Sequence, residues 1–313
     1  MQSLQRKHVL ITGGSSGIGL EIAKEAILQG AYVTLVARDS CKLLKASDEI
    51  TREEQCEKDR INIKVADVSD YEAIYRVIHE AFHWRPVDIL VCNAGVTKIS
   101  YLEQVPIEKV AATVGTNLTG TLYTLHAALP LMKQRSSHCH GSAIVLMGSL
   151  ASLYPLYGSG IYTSTKYALR GLAESLRLEL FPYKIGVSLV CPGTVETQML
   201  NEVEDCRSDP KFSYIKDKTS FYNRSRAEDP RDVAKATLKA AKHGKFLAAT
   251  SLKGHVLGIL SPGLLPADSI LKGVVELIMF IPVRLASYMI SAYIFAVIWW
   301  NHGCHDSKFK SQK

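Results

Sequence analysis

Short apolar runs alternating with longer helix-patterned segments constrain this chain more than any other feature. Residues 8–12, 32–37, 63–65, 89–92, 143–147 and 187–190 are mostly apolar and rich in β-branched residues, as strands buried on both faces of a sheet are. Between them, 20–29, 71–83, 107–133 and 162–181 carry helical apolar spacing, and 230–243 resumes it. Strands that alternate with helices in this way form a parallel sheet covered on both sides. The expected fold is therefore α/β, a Rossmann-type doubly wound parallel sheet.

A chain of 313 residues is somewhat longer than one core usually fills. Residues 1–253 are expected to form the catalytic domain, with a polar, irregular flap over 198–230, and 254–313 an apolar extension. Seven scattered cysteines without a CxxC pair point away from zinc and toward a reducing compartment. The triplets Asn117-Leu118-Thr119 and Asn223-Arg224-Ser225 are read as chance matches to a glycosylation signal, the first falling in a helix. The net charge of +7 does not imply nucleic acid, because acids and bases interleave, as in Glu57-Lys58-Asp59-Arg60. With Met1 only a few residues before the first strand, neither a signal peptide nor an N-terminal membrane span is expected.

Thr12-Gly13-Gly14-Ser15-Ser16-Gly17-Ile18-Gly19 follows the first strand and opens a helix. That context lets backbone N–H groups and a helix N-terminus face a pyrophosphate. At the end of the second strand, an acid would bind the ribose 2′-OH of NAD, whereas arginine accepts a 2′-phosphate. This chain has Ala37 and then Arg38, which favours NADPH; the alternative is a surface arginine paired with Asp39.

Tyr162 and Lys166 are four apart, on one face of a helix. An ammonium close to a phenol stabilises the phenolate and makes the pair a tunable proton donor. Ser149, just past the 143–147 strand, can hydrogen-bond a carbonyl on which negative charge develops. Together the three predict hydride reduction of a ketone, with Ser149 holding the oxygen and Tyr162 giving the proton.

Thr12 to Gly19, Asp67-Val68, Asn93-Ala94-Gly95, Asn117, Ser149, Tyr162-x-x-x-Lys166 and Pro192-Gly193 through Thr197 resemble the short-chain dehydrogenase/reductase family over residues 6–250. The resemblance implies a cofactor held by Gly13, Ser15, Ser16, Gly17, Ile18, Gly19 and Arg38. Asp67 and Val68 would lie near the adenine, and Asn93, Ala94 and Gly95 along the adenosine. Pro192, Gly193, Val195 and Thr197 would meet the nicotinamide end. Lys166, beside Tyr162, would bind the nicotinamide ribose, and Asn117 would distort its helix and hold a water that continues a proton relay.

The tail is similar to the C-terminal extension of 3-ketodihydrosphingosine reductases in Gly244-Lys245-Phe246, Leu260-Ser261-Pro262 and residues 280–286, as are 127–133 and the 168–175 helix. That similarity implies a long-chain-base ketone as substrate, reduced to sphinganine in sphingolipid biosynthesis at the endoplasmic reticulum membrane; Lys308, Lys310 and Lys313 would favour an anionic cytosolic leaflet, and with it an active site facing the cytosol. The loop Cys191-Pro192-Gly193-Thr194 and the residues after Ser149 keep the ordinary family form instead of the Pro-Pro-Asp-Thr and Gln-Ala-Gly types expected of that group. Another lipophilic ketone, such as a steroid or retinoid, stays open as substrate, as does a non-catalytic NADP sensor or scaffold.

Residues 285–300 hold no charge but are fewer than the roughly twenty residues a span needs. Attachment to the membrane surface through 254–300, with Tyr288, Tyr293, Trp299 and Trp300 at the headgroups, competes with a tilted span. A third reading makes the tail a dimerisation element of a soluble enzyme, and a homodimer is a further expectation. No nucleic-acid partner and no metal is expected.

Overall fold

The computed structural model describes residues 3–136, 141–201 and 227–260, and beyond them 274, 275, 277–282, 285, 286, 289 and 293. The chain divides into two compact units, Met1–His255 and Val256–Lys313. In the second, the described residues from 274 onward are helical and exposed. Among the described residues no helix is long and apolar enough to cross a membrane.

The first unit is built on seven parallel strands: β1 (His8–Thr12), β2 (Tyr32–Ala37), β3 (Ile61–Val65), β4 (Ile89–Cys92), β5 (Ala143–Met147), β6 (Gly186–Cys191) and β7 (Leu247–Ala249). Their order is β3-β2-β1-β4-β5-β6-β7, so the winding reverses between β1 and β4. In such sheets ligands bind outside the carboxyl ends of the strands at that reversal. Every residue of β1, β4 and β5 is buried, which is why these strands read as unbroken apolar runs.

The helices are α1 (Gly17–Leu28), α2 (Ser40–Glu53), α3 (Tyr71–Trp84), α4 (Ile107–Val114), α5 (Gly120–Ser136), α6 (Gly160–Leu180), α7 (Pro230–His243) and α8 (Leu252–Leu260). One core joins α1, α2 and α7 to Val9, Ile11, Val33, Leu35, Val91 and Val145. The intervening strand residues Leu10, Leu90, Ile144 and Leu146 are equally buried and point the other way. Both faces of the sheet are therefore covered.

The helix expected over 107–133 is present, and it carries the distortion that the family resemblance implied at Asn117. Its middle, Gly115–Thr119, is a π-helical turn between α4 and α5, where one extra residue is accommodated per turn. Helix α2 and strand β7 had no counterpart in the periodicity. Strand β7 has only three residues, too few for a period to register. Of the flap expected over 198–230, residues 198–201 are helical and 227–229 lead into α7; 202–226, with Asn223, fall outside the described residues.

At the opposite end of the sheet, Asp88 ties β1 to the chain entering β4. Its buried carboxylate accepts from the His8 N–H (2.8 Å), from Arg135 (2.8 Å) and from Lys7 Nζ (3.1 Å). His8 is pushed down to about 4 by burial. It is therefore neutral near pH 7, donating from Nδ1 to the Arg85 carbonyl and accepting at Nε2 from Thr34. Replacing Asp88 with Ala strands a buried N–H and leaves two cations without their carboxylate. Urea unfolding should show a loss of about 3 kcal/mol; a change below about 0.5 kcal/mol would show that water replaces the carboxylate freely.

Candidate active site

The carboxyl ends of β1, β2, β4, β5 and β6 open into one cleft of about 400 Å³. Its walls hold Gly13, Ser15, Ser16, Gly17, Ile18, Arg38, Asp67, Val68, Asn93, Ala94, Gly95, Ser149, Tyr162, Lys166, Pro192, Gly193, Val195 and Thr197. Two expected site residues, Gly19 and Asn117, stand behind the walls instead. The structure also brings Lys42, Thr97, Thr116, Met147, Leu156 and Met199 to the cleft, none of which carries a sequence signal of its own.

The glycine loop is shaped by backbone packing. Gly17 has φ +55° and faces Thr197, whose Cγ2 would lie 3.2 Å from a Cβ there; a Cβ at Gly19 would overlap the Gly13 carbonyl. The N-cap of α1, Ser16, makes no side-chain cap, so the first-turn N–H groups keep their capacity for a ligand. Asn93 is expected beside the adenosine, yet its amide faces inward: Nδ2 donates to the Thr12 and Gly13 carbonyls at 3.1 and 3.2 Å. Thr12 Oγ1 in turn accepts from the Asn93 and Ala94 N–H groups. Thr12 and Asn93 thus pin the loop to the end of β4, a role for Thr12 that only a hydroxyl at the last position of the strand could have hinted at.

Arg38 follows β2 with its side chain 62% exposed, 3.5 Å from Asp67 Oδ2. Asp39, the alternative partner, caps α2 by accepting the Lys42 N–H. Burial alone would raise the Asp67 carboxyl. Hydrogen bonds from the Ser69 hydroxyl and N–H, with the Arg38 charge, outweigh burial and hold it below the usual carboxylate range.

Ser149 ends the β5 segment as the N-cap of a short turn, 150–152. Its Oγ accepts from the Ala151 N–H at 3.1 Å, and its own N–H donates to Ser152 Oγ at 3.2 Å. With an N–H occupying the oxygen, the hydroxyl proton stays available to an acceptor in the cleft. Tyr162 and Lys166 project from the first turns of α6. Lys166 Nζ lies 5.5 Å from the centre of the Tyr162 ring and donates to the Met147 carbonyl at 2.7 Å.

Only 4% of Lys166 is exposed. Burial brings its ammonium down to about 8, so it still carries charge at neutral pH. Met147 is its one described acceptor, and two buried N–H donors remain in a cleft that also holds an uncapped helix N-terminus. That donor set fits a ribose diphosphate whose hydroxyls and phosphates are acceptors.

Asn117 sits fully buried in the π-helical turn. Its Oδ1 accepts from the Val96 N–H at 2.8 Å, while Nδ2 donates to the Val96 carbonyl at 2.9 Å and to Thr165 at 3.1 Å. It locks the loop after β4 to the residue preceding Lys166. A Cβ at Gly95 would stand 3.4 Å from Asn117 Oδ1 and 3.8 Å from Lys166 Nζ, so three expected site residues meet at one point. Glu228 was not foreseen. Its Oε1 accepts from the Gly193 N–H at 2.7 Å, and no spacing rule connects a residue 35 positions away.

A dinucleotide cradle beside a serine, tyrosine and buried lysine defines an oxidoreductase site for carbonyl and alcohol groups. Comparison with known proteins narrows this. Residues 7–208 match the model of the short chain dehydrogenase family. The chain is 34% identical to a mouse (Mus musculus) 3-ketodihydrosphingosine reductase over 88% of its own length and 80% of the relative's. It is 33% identical to an Arabidopsis thaliana 3-dehydrosphinganine reductase, covering 90% and 82%. A crystal structure of Brucella melitensis 3-ketoacyl-(acyl-carrier-protein) reductase complexed with NADH is 27% identical, covers 79% of this chain and 96% of that one, and superposes with a TM-score of 0.67.

The chain belongs to the short-chain dehydrogenase family. It is an oxidoreductase acting on a CH–OH/C=O pair with a nicotinamide cofactor.

The buried lysine has a measurable signature. Its folded pKa lies below the unfolded value, so the unfolded chain binds more protons between about pH 8 and 10.5, and Lys166 costs less stability as pH rises through that window. Lys166→Met removes the charge. The stability difference between Lys166→Met and wild type should be largest, in favour of the variant, below pH 8 and should shrink toward pH 10.5. A difference independent of pH in thermal unfolding would mean that Lys166 is not desolvated.

Proposed function

We propose that this protein uses NADPH to reduce the 3-keto group of 3-ketodihydrosphingosine, giving sphinganine in sphingolipid biosynthesis. The observation that carries the chemistry is the convergence of Ser149, Tyr162 and buried Lys166 on one cleft. The substrate rests on the curated relatives, whose names state that reaction and whose length this chain largely spans.

NADPH is favoured because Arg38 stands exposed at the end of β2 where NAD-binding sites carry an acid, and Lys42 lines the same end of the cleft. The residues that would hold the cofactor are the first turn of α1 for the pyrophosphate and Lys166 for the nicotinamide ribose, with the Pro192–Thr197 loop at the nicotinamide end. When bound, the reduced nicotinamide supplies the hydride to the carbonyl carbon. Ser149 donates its hydroxyl hydrogen to the ketone oxygen, stabilising charge as it develops. Tyr162 delivers the proton to that oxygen. The Lys166 ammonium favours the phenolate left behind, lowering the cost of transfer. Asn117 acts through others, fixing Thr165 and hence Lys166.

We place the protein at the endoplasmic reticulum membrane with its cleft facing the cytosol, attached through residues 254–300. The reading is supported by exposed apolar side chains at Leu277, Ile278, Ile281, Leu285 and Met289, which gain by insertion at a lipid interface. The terminal Lys308, Lys310 and Lys313 suit an anionic leaflet. A homodimer is supported by the apolar side chains of Ile107, Val114, Tyr167 and Leu178 exposed on α4 and α6, and by mid-helix Gly171, which no neighbour requires to be glycine. Size-exclusion chromatography with light scattering tests it: a monomer at micromolar concentration removes that part of the reading.

Purified protein in liposomes should oxidise NADPH faster than NADH when given 3-ketodihydrosphingosine, and Tyr162→Phe should lower turnover at least about a hundredfold while NADPH still binds. Removing residues 270–313 should release the protein from vesicles and slow only lipid substrates. Turnover of a steroid or retinal ketone but not of the long-chain base would overturn the substrate. A truncated chain that still sediments with vesicles would overturn the membrane role of the tail.

A further inference from the structure

The loop after β6 forms a wall of the cleft outside the helices and the strand ladder. Pro192–Thr197 leaves the sheet at Cys191, and Glu228, just before α7, lies against it. There, three bonds form within a few residues. The Glu228 N–H donates to the Thr194 carbonyl at 2.7 Å, and the Glu196 N–H donates to the Glu228 carbonyl at 3.0 Å. Val195 and Glu228 thereby make an isolated parallel bridge. The third bond runs from the Gly193 N–H to the Glu228 carboxylate, also at 2.7 Å.

We propose that Glu228 is a positioning residue for the nicotinamide half of the cofactor, acting through the Gly193 N–H to set the Pro192–Thr197 loop. The inference rests on reading the cleft as a nicotinamide dinucleotide site.

The loop must be held because it touches both other parts of the site. The Pro192 carbonyl accepts from the Leu150 N–H at 2.9 Å, immediately after Ser149. Thr197 stands against the glycine loop at Gly17. A shift of the loop would therefore move the wall that stands between the serine turn and the glycine loop, where the nicotinamide half of the cofactor has to fit. The Glu228 main chain bridges Thr194 and Glu196, but only its side chain reaches Gly193. Asp229 caps α7 by accepting the Arg231 N–H at 2.8 Å, which fixes the backbone from which the Glu228 side chain extends. A Cβ at residue 193 would lie 2.7 Å from Glu228 Oε1, so an alanine there would push the carboxylate away from the N–H that it accepts. An N–H bonded to a carboxylate is also stronger than one bonded to a neutral oxygen, which suits a contact carrying a loop without secondary structure.

Binding of two ligands to the apoprotein, followed by calorimetry, tests the idea. NADPH spans the whole cleft, whereas 2′,5′-ADP carries only the adenosine half and does not reach the loop. Glu228→Ala should weaken NADPH about tenfold and leave 2′,5′-ADP within about twofold. Glu228→Gln retains an acceptor oxygen and should restore NADPH binding to within about threefold of wild type. Gly193→Ala should reproduce the selective loss, and the double variant should be no weaker than the worse single one, because both break the same bond. Gly193→Ala also reads the contact if Glu228→Ala does not fold. Equal weakening of both ligands, unchanged NADPH binding, no rescue by Gln, or additive losses would each overturn the role of Glu228. Failure of the wild-type protein to bind either ligand would instead remove the cofactor reading on which it rests.

Discussion

A lysine ammonium with almost no exposure sets the terms on which this site can exist. Moving such a charge out of water costs several kcal/mol unless acceptors replace the hydration, and Lys166 receives one from the fold, the carbonyl at the end of β5. Burial has brought it down to about 8 without neutralising it at pH 7. The group is therefore held charged and under-coordinated, ready to bind acceptors that enter the cleft. The neighbourhood is arranged to keep it so. Asn117 fixes the preceding residue, Gly95 leaves the space beside it open, and the thiol of Cys191, which burial pushes up to about 12, stays neutral. An acid in place of Cys191 would pair with the lysine and end its availability.

Much of this could be read in the chain before any coordinates, and the reasons differ by element. The strands that flank the winding reversal are buried on both faces, so they appear as apolar runs with nearly correct ends. The glycine loop and the Tyr162–Lys166 pair are local: their chemistry depends on spacing within a few residues, which sequence preserves. What escaped depends on tertiary proximity. Strand β7 is too short to show a period, whereas the distortion at Asn117, which the family resemblance implied, stands as the π-helical turn between α4 and α5. Arg38 was assigned the right neighbourhood but the wrong alternative partner, because Asp39 is engaged in capping α2 and Asp67 comes from a different strand end. Glu228 left no trace at all, its partner being set by the path of the chain after β6.

Four of the loops that line the cleft, those after β1, β4, β5 and β6, are each bonded to another part of it. Thr12 and Asn93 join the glycine loop to the end of β4, and Val96 carries that connection to Asn117 and α6. Leu150 and Pro192 join the serine turn to the loop after β6, which Glu228 closes. Loops of this kind are exposed and individually weak. Linked in a circuit through buried backbone groups, they resist separate displacement, and this is what keeps a donor near the position where charge will develop. The π-helical turn belongs to the same logic, since a regular helix would carry Asn117 away from Val96.

The two ends of the cleft differ in a way that bears on what it takes in. Arg38, Asp39, Lys42 and Asp67 make one end charged and wet, whereas Leu150, Leu156, Val195, Met199 and Leu200 line the region near Ser149. A phosphate-bearing cofactor and an apolar substrate can therefore meet at Tyr162 without either crossing the other's ground. On the long-chain-base reading, the ketone would place its oxygen at Ser149 and its alkyl chain along those apolar side chains, where burial contributes about 0.8 kcal/mol per methylene. A few buried methylenes thus supply as much binding as a charged contact would, which lets the site favour a lipid while keeping the ordinary family residues around Ser149 and Gly193. Selectivity would then reside in the apolar wall and in delivery of the substrate from the membrane, and the catalytic groups themselves need not change.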